Sequence, residues 1–248
     1  MSNSERTHHN AHLCGGDDTY MPSLVVHYAF VGLLAATLLG AAFDKRSLLL
    51  SVLVVTVPDV DAFIGLYWQA GHRAATTNLV IPAVLALLIA ADLYVREDSY
   101  IRDRWGAYGV RVSWFCVVVY AVGHVVLDLI TGGANLFWPL YDQFYQLSGH
   151  LELSSQRGIV QTFVELPEPP SQTSGGTGAG GGSTTQSMGN SSEVQMSTGI
   201  DPNPGQPEPE SVDRVFPIAR SGWELVVLVV GTLATTARLV IGHDLPEE

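Results

Sequence analysis

Lysine is almost missing from this chain. Lys45 is the only one, and arginine supplies the other eleven of twelve basic residues. Against 24 Asp and Glu, this leaves a formal net charge of -12 at pH 7. Such a balance argues against a nucleic-acid partner, because phosphate backbones are held by basic patches. An acidic, lysine-poor surface is what salt-loving organisms use, so a haloarchaeal source is expected.

Cysteine is scarce as well. Cys14 lies in a polar stretch and Cys116 in an apolar one, so no disulfide between them is expected and the pair says little about compartment. No cleavable signal peptide is apparent: the first twenty or so residues are polar, and the apolar run behind them is long enough to stay as a span. His8, His9, His12 and Cys14 cluster in that tail, which reads either as a loose metal site or, more simply, as a solvated segment.

What the chain does have is long apolar runs, and hydrophobic residues make up 47% of it. They gather at 22–43, 47–57, 79–95, 107–131 and 222–242. The fold class that follows is all-α: a polytopic membrane helical bundle with about five hydrophobic segments, seated in the cell membrane with the lipid bilayer as its partner. The second segment, SLLLSVLVVTV, stops at Pro58 after 11 residues. As a helix it reaches only about 17 Å and does not cross alone. Ala62 to Trp68 would carry the chain on to the surface, with the PDVD of 58–61 part-way in. Gly132 and Gly133 mark a helix stop after the fourth segment, and NLFWPLYDQFY beyond it has the Trp and Tyr of a headgroup-level segment.

Four regions result: a polar tail at 1–20, a membrane-embedded core at 21–149, a low-complexity acidic linker at 150–219, and a last helix with its tail at 220–248. The linker contains GGTGAGGGSTT and DPNPGQPEPE. So few large apolar residues cannot offset the entropy of ordering, and about 166–213 is expected to be disordered. Lys45, Arg46, Arg96, Arg102, Arg104 and Arg111 mark the cytoplasmic side. The N-terminus, the 66–78 loop and the linker then face out, and the C-terminus faces in.

Ionisable residues at membrane depth are costly, and function is their default explanation. His124 and Asp128 are one helical turn apart on one face, where they either share a metal ion or neutralise each other by a hydrogen bond. Asp59 and Asp61 flank Val60 after a helix-breaking proline; two carboxylates so close want a cation or donor between them, unless the turn is simply solvated. His27 lies about one turn inside the first span, as a ligand or as an interfacial histidine, and His72 with Arg73 lies in a loop, where a surface pair is the usual reading. In the orientation above all four groups fall toward the outer side, with His124 about 12 Å and Asp128 about 6 Å below the end of their helix. His and Asp converging from four segments have the composition of a metal site with nitrogen and oxygen ligands.

His27, the PDVD of 58–61, HRAATTN at 72–78, GHVVLDLITGG at 123–133 and NLFWP at 135–139 together resemble the membrane-bound, metal-dependent hydrolase family typified by a LexA-binding inner-membrane protein. That family is regarded as distantly related to zinc-dependent phospholipase C and S1/P1-type nucleases. The resemblance covers about 24–140. It implies metal ligands at His27, Asp59, Asp61, His72, His124 and Asp128, and a divalent ion, zinc being the expected one. It also expects a second histidine in HRxxTH, where this chain has Thr77. A hydroxyl is a poorer zinc ligand than imidazole, so one ligand position is expected to be lost.

The first functional reading is a membrane hydrolase. Asp59 or Asp61 would orient or deprotonate a water, and Arg73 would hold an anionic substrate oxygen such as a headgroup phosphate. The second is a binding or scaffold protein on the same fold, with chemistry lost through Thr77. The third is an ion-handling transporter, disfavoured by the lack of an inverted repeat.

Overall fold

The computed structural model describes residues 23–67, 71–147, 151–156, 158–161, 185–191, 194, 216 and 218–241. The histidine-rich tail and most of the region read as linker lie outside them.

Helix α1, Leu24–Leu38, opens where the Ser23 hydroxyl accepts from the Val26 N–H and closes into a tight turn at Gly40–Ala42. Helix α2, Lys45–Thr56, starts from a reciprocal cap in which Asp44 and Ser47 each accept the other's backbone N–H. Pro58 cannot continue the α-helical ladder. The chain therefore passes through one tighter turn, Pro58–Val60, into the short α3, Asp61–Gly65. Stacked end to end, Lys45–Gly65 is long and apolar enough to cross a membrane. The expected insufficiency of the second segment is thus met by α3, which extends it.

Helix α4 is Val80–Tyr94 and α5 is Tyr100–Val118. Gly106, at φ 60° and ψ -151°, interrupts α5, a conformation open to glycine because it has no Cβ. The apolar span begins after it, as the sequence pattern suggests. It runs through a widened π-helical stretch, Val119–Val126, into α6, Leu127–Thr131, and ends at Gly132. Helix α7 is Gly222–Ile241. Three helical stacks, Lys45–Gly65, Tyr100–Thr131 and Gly222–Ile241, meet the length and apolarity of a span, and α1 and α4 are shorter apolar helices. The mostly helical, five-segment membrane architecture expected from the sequence is the one found.

The core is built by Val31 and Ala35 of α1 with Leu39 at its C-cap, Val55 of α2, and Val112, Phe115 and Val119 of the long helix. Large apolar side chains on the outer faces stay exposed: Leu49, Leu50 and Leu53 on α2, Leu87 and Leu88 on α4, and Val226, Val229 and Leu233 on α7. Lipid is the natural partner of such faces. Helix α7 runs parallel to α1. The Ser23 hydroxyl donates to the Ile218 carbonyl at one end, and Arg238 donates to the Gly40 carbonyl at the other, 3.2 Å away. Between them a Cβ at Gly231 would stand 2.1 Å from the Ala29 carbonyl oxygen, so only glycine permits the approach.

Short antiparallel ribbons lie after the core. Strand β1, Phe144–Leu147, pairs with β4, Thr185–Gly189, and β2, Leu151–Ser154, pairs with β3, Gly158–Gln161. Of these strands only β4 falls within about 166–213, the stretch expected to be disordered, and most of that stretch lies outside the described residues. Strands β2 and β3 are each other's partner, whereas β4 has partners outside the segment: β1, and beyond the strand Asp142, which accepts from the Ser191 N–H at 3.0 Å, from the Ser191 hydroxyl at 2.5 Å, and from Asn135 Nδ2 at 2.6 Å.

A histidine and aspartate cluster at one end of the bundle

Helix direction decides which side chains meet. The start of α1, the end of α2, the start of α4 and the end of α6 lie at one end of the bundle. The basic residues Lys45, Arg46, Arg96, Arg102 and Arg104 belong to the turns and helix starts of the other. His27, His124 and Asp128 come together at the first end, all buried, with one potential ligand atom from each lying within 4.8 Å of the others.

Each imidazole is oriented by a backbone carbonyl. His27 Nδ1 is 2.8 Å from the Gly123 carbonyl oxygen, and His124 Nδ1 is 3.0 Å from that of Val55. A carbonyl only accepts, so both Nδ1 atoms carry the hydrogen and both Nε2 atoms keep a lone pair when the rings are neutral. Gly123 and His124 both lie in the π-helical stretch Val119–Val126, so one stretch presents the carbonyl that His27 meets and the imidazole that meets Val55.

The two Nε2 atoms converge on one carboxylate. His27 Nε2 lies 3.4 Å from Asp128 Oδ1 and His124 Nε2 lies 3.3 Å from Asp128 Oδ2. A charge-assisted hydrogen bond would close to about 2.7–2.9 Å. Adjacent donors around a tetrahedral ion with bonds of about 2.0–2.1 Å stand about 3.4 Å apart. The two edges to Asp128 match the second arrangement, and the donor set is one that suits zinc.

Asp59 borders the cluster. Its Oδ1 is 3.9 Å from His124 Nε2, its Oδ2 has no hydrogen-bond partner, and its side chain is 30% exposed, which makes it the one member reaching toward solvent. Arg73 is 1% exposed, contrary to the surface pair expected of a loop residue. Its Nη1 donates to the Gly133 carbonyl at 2.9 Å, and its Nη2 lies 3.6 Å from Asp128 Oδ1. A cation buried this deeply needs an anion, and Asp128 supplies it.

Asp61 and His72 form a separate pair. His72 Nδ1 is 3.0 Å from Asp61 Oδ1, while Asp61 Oδ2 accepts from the Thr77 hydroxyl at 2.7 Å and from the Thr77 N–H at 3.2 Å. Both Asp61 oxygens are therefore already engaged, unlike those of Asp59. Thr77, read from the sequence as a lost ligand, serves as a hydrogen-bond donor to Asp61. The sequence-predicted residues thus divide: His27, His124 and Asp128 share a centre, Asp59 and Arg73 flank it, and Asp61 and His72 pair beside it.

Sequence reasoning missed the groups that orient the two imidazoles. The carbonyls of Gly123 and Val55 carry no side-chain signature. Gly132, read only as a helix stop, also makes room for Arg73, whose Nη1 would stand 2.2 Å from a Cβ there.

The family described as YdjM inner membrane protein matches residues 23–178, which takes in every residue of the cluster and stops short of α7. Inner membrane protein YbcI of Escherichia coli (strain K12) is 26% identical over 131 residues, a stretch covering 50% of this chain and 70% of that protein. No solved structure matches.

Proposed function

The chain belongs to the YdjM inner membrane protein family, and on that premise we propose that this multi-pass membrane protein is a metal-dependent hydrolase. The observation that carries the reading is the pair of imidazoles held by carbonyls with both Nε2 atoms 3.3–3.4 Å from Asp128. When bound there, a divalent cation such as zinc supplies a Lewis acid that lowers the pKa of water.

His27, His124 and Asp128 would hold the cation, and the carbonyl contacts fix the tautomers that this needs. Asp59, with an unoccupied oxygen and an exposed flank, is the group that would take a proton from an attacking water. Asp61 is the weaker candidate, because His72 and Thr77 already occupy it. The basic residues at the far end support placing that end in the cytoplasm and the cluster on the outer side. The lysine-poor, acidic composition supports a salt-rich setting.

Metal analysis of the purified full chain, together with hydrolysis of bis-p-nitrophenyl phosphate, tests the proposal. The parent is expected to carry stoichiometric zinc and to turn over. His124→Ala should lose both, and Asp59→Asn should keep zinc and lose turnover. Equal zinc content in the parent and His124→Ala would sink it. Zinc without turnover in the parent favours the scaffold reading instead.

A further inference from the structure

We propose that the Nε/Nη2 edge of Arg73 is an oxyanion seat that takes a phosphoryl oxygen of the substrate. This rests on the hydrolase reading and names the class of group the site receives.

Among the described residues, the buried side-chain polar atoms left without a hydrogen bond are Asp59 Oδ2, Arg73 Nε and Arg73 Nη2. All three border the histidine and aspartate cluster. On the guanidinium, Nε and Nη2 form one side, the edge that offers two parallel N–H donors to an oxyanion. Asp128 does not fill it: Nη2 is 3.6 Å from Oδ1, beyond a bidentate pair, and Nε has no acceptor. Buried donors are otherwise almost always paired, and an orphaned pair on a charged group calls for a ligand.

The protein invests in this orientation. Arg73 sits at φ 58°, a region that residues with a Cβ seldom occupy. Its carbonyl is pinned by the Asn135 N–H at 3.0 Å and its Nη1 by the Gly133 carbonyl. Gly132 leaves space for the guanidinium that any side chain would take. Charge does not oppose an anion. A divalent cation and Arg73 together would offset the three carboxylates Asp59, Asp61 and Asp128, so an incoming anion would not meet a net negative site.

The test is calorimetric titration of inorganic phosphate into the full chain in detergent, zinc-loaded and zinc-free, beside Arg73→Lys and Gly132→Ala. Lysine keeps the charge and loses the paired donors, whereas alanine at 132 displaces the guanidinium and keeps its charge. The second variant therefore decides the matter should the first fail to fold. The parent is expected to bind phosphate, and both variants to bind it at least about tenfold more weakly. Parent affinity in a folded variant overturns the proposal, and so does a parent that binds no phosphate or binds acetate as tightly. A parent that binds phosphate but no zinc brings down the metal reading alone, and the zinc-free comparison of parent and variants still decides the seat. Dihexanoyl phosphatidic acid distinguishes the sources: tighter binding than phosphate assigns the seat to a lipid headgroup, equal binding to a soluble phosphoester.

Discussion

The rings of His27 and His124 stack, with centroids 4.3 Å apart and planes 13° from parallel. They come from different helices, and each is tied at Nδ1 to a carbonyl on an element other than its own. The arrangement keeps both lone pairs on the Asp128 side. His27→Phe retains a ring to stack and loses the donor. Zinc affinity should fall by at least about a hundredfold, the upper end of what changes around a ligand cost. Helical circular dichroism should be unchanged. An unaltered zinc isotherm would show that His27 is packing alone.

The contact of α1 with α7 is the second place where one residue type is required. With the Ala29 carbonyl 2.1 Å from where a Cβ would stand, Gly231→Leu must push α7 off α1, and overpacking of this kind costs about 1–3 kcal/mol. Nothing lies within 4 Å of a Cβ at Gly222, so Gly222→Ala is the control. Thermal unfolding in detergent should drop for the first variant and stay for the second. Equal melting of both would mean that the two helices do not pack as described.

The apolar helical segments, and the end of the fourth, were legible in the sequence because long apolar runs and the Gly132-Gly133 stop are local signals. Gly106 and Gly132 bound the fourth span at the positions where the chain actually changes conformation. The histidine and aspartate cluster was legible only as a group. Asp59 and Asp61 are separated by one residue, and the tight turn after Pro58 sends one toward His124 and the other toward His72 and Thr77. No pattern in PDVD distinguishes them. Strand β4 was hidden for a different reason. Its residues are few and polar, and what orders them is β1 and Asp142, some forty residues earlier.

Thr77 gives a prediction opposite in emphasis to its reading as a lost ligand. Its hydroxyl is a donor to a carboxylate that is 1% exposed. Thr77→Val keeps the shape and leaves Asp61 Oδ2 with only the 3.2 Å bond from the backbone N–H. Losing a hydrogen bond to a buried charge costs about 1–3 kcal/mol. Denaturant midpoints of the parent and variant measure it, with Thr77→Ser, which restores the donor, expected near the parent. Thr77→Val as stable as the parent would refute the role assigned to the hydroxyl.

Asp142 makes the docking of β4 depend on pH. Burial alone would raise its pKa, but the hydrogen bonds from Ser191 and Asn135 outweigh that effect and hold it below the usual carboxylate value. A group whose pKa is lower in the folded state stabilises that state at pH values above its unfolded pKa, about 3.9 for aspartate. The contribution fades as pH falls through the lowered folded value, where a protonated carboxyl no longer accepts fully from three donors. The Ser191 amide, bonded to Asp142 Oδ1, should therefore be protected from hydrogen exchange at neutral pH and lose that protection under acid, after correction for the intrinsic exchange rate. The Val26 amide, bonded to Ser23 at the N-cap of α1, should keep its protection across the same range. Asp142→Asn removes the titrating group and should flatten the profile at Ser191. A Ser191 amide that loses protection under acid equally in the parent and in Asp142→Asn would place the titrating group elsewhere.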